Sequence, residues 1–189
     1  MKLLEDRIAS EGKIFPGNIV KVDSFINHRI DIKLLKEIGK EFGRLFGDCN
    51  VNKIVTVEAS GIAFASAAAY ELDCDVVFAK KHGHKNVGDD VYTEKVKSFT
   101  KGKEYEVVIS KEHLNSNDRV LIIDDFLAEG NAAKGLIKMV EASGAEVVGV
   151  GIVIEKGFQS GGAELRKRGI RVESLAIIDC ITEDKVIFR

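Results

Sequence analysis

Val120-Leu-Ile-Ile-Asp124-Asp125-Phe-Leu-Ala128-Glu129-Gly130-Asn131-Ala132-Ala133 decides how the rest of the chain is read. Four apolar residues without polar alternation suit a strand buried on both faces. Two adjacent acids follow at its C-terminal edge, the rim where open α/β sheets bind ligands. A short loop then enters a helical pattern over 131–143 that ends at Gly144. The free N–H groups and dipole at such a helix start favour an anion. Carboxylates suited to sugar hydroxyls thus stand a few residues from donors suited to a phosphate, which together describe a ribose 5-phosphate cradle. Spacing alone leaves a second reading open, in which the acids are a solvated strand end and 129–132 an ordinary connection.

Moving outward, similar β-branched runs occur at Ile54-Val-Thr-Val57, Val76-Val-Phe78, Val107-Val-Ile109 and Val147 to Ile154, with a weaker one from Val172 to Ile178. Helical patterns lie between several of them. Asp31 is placed to cap a helix carrying Leu34, Leu35, Ile38, Phe42, Leu45 and Phe46, with Gly47 as its stop. Segment 61–71 is Ala-rich. The alternation predicts an α/β fold, a mostly parallel twisted sheet flanked by helices, in a single domain over 1–189. Two segments fall outside the repeat. Residues 11–30, with Pro16 and Ile19-Val-Lys-Val22, read as a flap. Residues 80–103 are polar and read as one long flexible loop, with seven lysines against three acids.

The whole chain balances 28 Lys+Arg against 30 Asp+Glu, a formal charge of −2. A broad nucleic-acid binder would show a basic excess, so no nucleic-acid partner is expected. No stretch approaches the roughly 20 apolar residues of a membrane span, and the opening Met1-Lys-Leu-Leu-Glu-Asp-Arg-Ile8 lacks the apolar run of a signal peptide. Cys49, Cys74 and Cys180 are odd in number and widely spaced, without metal-ligand spacing. Reduced thiols, no protein-held metal and a cytoplasmic location are the resulting expectations.

The segment 120–133 resembles the signature of type I phosphoribosyltransferases, which is four apolar residues, two acids, two apolar residues, Ala and a Thr-Gly-Gly-Thr phosphate loop. Glu129 and Ala132 stand where that family usually has threonines, so two hydroxyl contacts to phosphate are replaced, and the Glu129 carboxylate is expected to point outward. Within the family, the bacterial xanthine phosphoribosyltransferases are similar at Asp124-Asp125-Phe-Leu-Ala128, Lys21-Val-Asp-Ser-Phe-Ile-Asn27-His-Arg-Ile-Asp31, Ile152-Val-Ile-Glu-Lys156-Gly-Phe158-Gln and Val172-Glu-Ser-Leu-Ala176. The resemblance therefore runs over nearly the whole chain.

That resemblance implies the type I fold with a small hood over the base, formed by 11–30 and 155–189, and a flexible loop at 80–103. It implies transfer of the phosphoribosyl group of 5-phosphoribosyl-1-pyrophosphate (PRPP) to a purine, with Mg²⁺ bound mainly through PRPP, by a homodimer. Asp124 and Asp125 would be catalytic. Ala128, Glu129, Gly130, Asn131 and Ala132 would cradle the 5′-phosphate, and Ser60, Gly61, Lys80 and Lys81 the pyrophosphate. Val20, Asn27, Lys156 and Phe158 would bind xanthine, whose two carbonyls and acidity suit an ammonium. Ala128 occupies the position of an acid near the base in hypoxanthine-guanine enzymes. From residues alone, Ser60 could equally cap a helix, Lys80 and Lys81 could be solvated, Lys156 a surface lysine and Phe158 a core plug. Rival expectations are a non-catalytic PRPP sensor, and an enzyme of the same fold acting on guanine, hypoxanthine or orotate.

Overall fold

The computed structural model describes residues 1–81, 90–97 and 104–189. Helix α1 (Lys2–Glu11) leads into a hairpin of β1 (Lys13–Phe15) and β2 (Ile19–Lys21), then a π-helical turn at Asp23–Asn27 and α2 (Ile32–Phe46). Next come β3 (Lys53–Val57), α3 (Gly61–Leu72), β4 (Asp75–Lys81), β5 (Val91–Lys97) and β6 (Glu104–Ser110). The chain closes with β7 (Arg119–Leu127), α4 (Asn131–Ala142), β8 (Glu146–Lys156), α5 (Ser160–Lys167), β9 (Val172–Ile181) and β10 (Val186–Phe188).

One sheet carries eight strands in the order β10-β9-β8-β7-β3-β4-β6-β5. The five strands from β9 to β4 are parallel, and β10, β6 and β5 add antiparallel edges. The expected mostly parallel sheet flanked by helices is the observed one. Along β7, Leu121 and Ile123 join a core with α1, α2 and α3, while Val120 and Ile122 join a second core with α4 and α5. Both faces are covered, which is why the run lacks polar alternation. Helix α2 starts where expected: the Asp31 carboxylate accepts from Lys33 N and Leu34 N at 3.0 and 3.2 Å. Its buried face, Leu34, Ile38, Phe42 and Phe46, contributes about 1.5–3 kcal/mol per side chain.

The reading of 80–103 as one long loop is corrected. β4 runs through Lys80 and Lys81, and Val91–Lys97 is a strand paired in register with β6, Tyr92 opposite Ile109 and Val96 opposite Tyr105. Tyr92, Glu94 and Val96 point inward while Thr93 and Lys95 are exposed. That period of two marks an edge strand with one covered face. The rest of the expected loop, 82–89 and 98–103, lies outside the described residues. Within 155–189, β9 and β10 extend the sheet, and Leu175, Ala176 and Ile178 share a core with Val20, Val22, Phe25 and Ile26 of the flap. Lys156 Nζ also ties this segment to the flap, donating to Asn18 O at 3.3 Å.

A buried ion pair ties the end of β8 to α5 and β9. Glu155, 3% exposed, accepts both arms of Arg166 at 2.7 Å and the Ser174 hydroxyl. Burial alone would raise its carboxyl, but the Arg166 fork and Ser174 outweigh burial and hold it below the ordinary value. The stability it confers is therefore complete above the ordinary carboxylate range and lost as pH falls through the lowered value. Arg166→Met strands the carboxylate. We expect it to cost about 2–3 kcal/mol, less than a fully buried pair because Arg166 is partly solvated. Urea unfolding at neutral pH checks this, and an unchanged midpoint would refute it.

Candidate active site

The order of strands reverses between β3 and β7. From β3 the chain moves outward through α3 to β4, and from β7 it moves the other way through α4 to β8. A crevice at the strand ends of such a switch point is where α/β sheets bind ligands. Asp124 and Asp125 close β7 at this point. Asp125 N donates to Asp124 Oδ1 at 2.9 Å, and Phe126 N to Asp125 Oδ1 at 3.0 Å, so each carboxylate is aimed by the next peptide. Asp124 is 5% exposed. Burial, then the charge of Asp125, push its carboxyl well above the ordinary value.

Beyond the acids, Gly130 turns the loop with φ +75°, a left-handed conformation that suits glycine. Helix α4 then begins with no side-chain cap, and its first intrahelical bond is Lys134 N to Gly130 O at 2.9 Å. The backbone amides of this first turn point out of the helix start, where they can take an anion. A cleft of about 610 Å³ opens over this loop. It brings together Asp125, Ala128, Glu129, Gly130, Asn131, Ala132, Val20, Asn27 and Lys156, with Gly17, Ile19, Val96 and Tyr105 completing the walls. Lys156, 8% exposed, has its pKa lowered by burial, so the surface-lysine alternative is set aside.

The remaining expected residues are not part of the lining of this cleft. Asp124 lies beneath it. At the end of β3, Gly61 presses against the same acid: a Cβ there would stand 3.3 Å from Asp124 Oδ1 and 2.1 Å from Thr56 Oγ1. The loop before α3 therefore adjoins the acid pair. Ser60 makes no side-chain cap to α3, which removes the capping alternative. Lys80 and Lys81 do not act side by side, since neighbouring strand residues face opposite ways. The Lys81 ammonium lies 5.4 Å from the centre of the Tyr105 ring, toward the cleft. Lys80 lies over Phe78 in a separate groove with Lys53, Glu112 and His113. Phe158 is 37% exposed on the turn after β8, too exposed for a core plug.

Three residues escaped the sequence reading. Val96 and Tyr105 are cross-strand partners in the hairpin, and the alternation of 91–97 was the signal for them. Thr56 is the polar residue within the otherwise apolar run 54–57 of β3. It is wholly buried, and its hydroxyl lacks a hydrogen-bond partner among the described residues.

Residues 30–179 match the family model described as the phosphoribosyl transferase domain. The chain belongs to the phosphoribosyl transferase family. It is 57% identical over 190 residues to xanthine phosphoribosyltransferase 2 of Clostridium botulinum (strain Langeland), with 100% of each chain covered. It is also 52% identical over 188 residues to a xanthine phosphoribosyltransferase of Bacillus mycoides, covering 100% of this chain and 95% of that one. Among solved structures, adenine phosphoribosyltransferase of Giardia lamblia superposes with a TM-score of 0.77 over 92% of this chain and 96% of that one. At 20% identity it shows the shared fold. Among the described residues, no helix is long and apolar enough to cross a membrane.

Proposed function

We propose that this chain transfers the 5-phosphoribosyl group of PRPP to N9 of xanthine, releasing pyrophosphate and forming xanthosine monophosphate. The observation that carries this reading is the buried Lys156 ammonium in the same cleft as the acid pair and the amide loop. A cation at the base end suits a purine with two carbonyls and an acidic ring.

The C1′–O bond breaks with both electrons leaving on pyrophosphate, and the N9 lone pair closes the C1′–N bond through a transition state of oxocarbenium character. Asp124 and Asp125 receive the ribose hydroxyls and favour the positive charge developing on the sugar. The amides of Ala128 to Ala132 hold the 5′-phosphate, and those of Ser60 and Gly61 the pyrophosphate. Val20, Asn27, Phe158 and Lys156 hold the base, with the ammonium stabilising a purine that has given its N9 proton to water. Ala128 offers no acid there.

Among the described residues, no three His, Cys, Asp or Glu side chains gather to hold a metal. On this reading a Mg²⁺ ion would be bound mainly through PRPP oxygens, where it would neutralise the leaving group. The reading carries a homodimer with it, in which Lys80, turned from its own cleft, would serve a partner's. The free thiols of Cys49, Cys74 and Cys180 suit a reducing cytoplasm.

Purified protein given PRPP and Mg²⁺ should release pyrophosphate fastest with xanthine in a panel that includes guanine, hypoxanthine, adenine and orotate. Preference for another base would overturn the substrate, and silence with all five would leave the PRPP sensor.

A further inference from the structure

Glu129 places a carboxylate in a loop that, on the reading above, receives a phosphate. The structure shows what becomes of that charge. Glu129 Oε2 accepts from the hydroxyl of Ser160, the first residue of α5, at 3.2 Å. The backbones of the two segments are in contact beside this bond: Gly161 N donates to Ala128 O at 3.1 Å, and a Cβ on Gly161 would lie 2.7 Å from Gly130 N. Helix α5 is therefore seated directly on the phosphate loop. Lys134, in the first turn of α4, closes the arrangement by donating to Glu129 O at 2.9 Å and pairing with Glu164 of α5.

A hydroxyl has one proton to give. Glu164 also lies near Ser160, but its carboxyl is held below the ordinary value chiefly by Lys134. With Lys134 satisfying Glu164, the Ser160 proton is available to Glu129. The carboxylate held there also lies at the start of α5, where a negative charge is favoured.

We propose that Ser160 is a positioning residue of the 5′-phosphate subsite, holding the Glu129 carboxylate on the α5 side and so keeping its charge out of the amide cradle. The proposal rests on reading 128–132 as the phosphate loop. Released from Ser160, the Glu129 side chain could swing over the cleft it already lines, and its charge would oppose the dianion.

The test is a double-substitution cycle with initial rates at varied PRPP and varied xanthine. Ser160→Ala should raise KM for PRPP about five- to tenfold, by charge repulsion across a partly solvated gap, with a much smaller change in KM for xanthine. Glu129→Gln should lower KM for PRPP about two- to threefold, because the opposing charge is gone. Adding Ser160→Ala to Glu129→Gln should then cause no further loss, and Ser160→Thr should rescue. An unchanged KM for PRPP in Ser160→Ala would overturn the proposal. So would a full defect persisting in the double variant, which would mean that Ser160 acts through helix packing. Ribose 5-phosphate binding to the same proteins, read by calorimetry, should follow the same pattern. If wild type binds ribose 5-phosphate but releases no pyrophosphate with any base, the transferase reading fails while the cycle still decides the role of Ser160.

Discussion

Replacing both acids at the end of β7, Asp124→Asn with Asp125→Asn, is expected to lower kcat by about two to three orders of magnitude, the loss typical of preorganised charge at a reacting centre. The geometry favours an intact fold. An asparagine oxygen can accept the same two backbone N–H groups, Asp125 N and Phe126 N, that the carboxylates accept now. What disappears is the negative charge opposite the developing oxocarbenium. The Asp124 carboxyl is raised by burial and by its neighbour, so above its pKa the ionised form is a burden on the folded state, and removing it should leave Tm equal or higher. Lost turnover with an undiminished Tm is therefore the expected pair of results. Unchanged kcat would make the acids structural.

Lys156→Met should raise KM for xanthine by about 10- to 100-fold, the worth of a hydrogen bond to a charged group, with far less effect on KM for PRPP. Methionine keeps the apolar stem that packs in the cleft and removes only the ammonium. Because burial lowers the pKa of Lys156, the group loses its proton at a lower pH than an exposed lysine. Wild-type kcat/KM for xanthine should fall on the alkaline side accordingly, and the variant should lack that limb. Equal losses for both substrates would move Lys156 out of the base subsite.

How far the sequence could be read depended on how each element meets solvent. β3, β7 and β8 are covered on both faces and stand out as apolar runs, whereas β5 alternates and resembled a polar loop. Helix α1 buries only Leu4 and Ile8, too faint a stripe to register. Helix α5 begins Ser160-Gly-Gly, a pattern that favours a turn, yet Gly161 is what allows it to press on the loop at 128–130. The acid pair and the loop after it are local in sequence and were legible. Tyr105 and Val96 reach the cleft through a hairpin whose register only the folded sheet reveals. The separation of Lys80 from Lys81 required knowing that β4 continues through both.

Because β3 is flanked by β4 on one side and β7 on the other, the cleft lies on the seam between the first and second halves of the chain. Val20, Asn27 and Gly61 come from before that seam, and Asp124, Gly130 and Lys156 from after it. Neither half alone carries all the residues proposed to hold the two substrates, so on that reading they have little to bind until the sheet has closed. Ligand at a hundred times its Kd then adds about 2.7 kcal/mol to the folded state. On the proposed reading, occupancy fastens the two halves together as one cooperative unit, and the substrate acts as a folding clamp for its own enzyme.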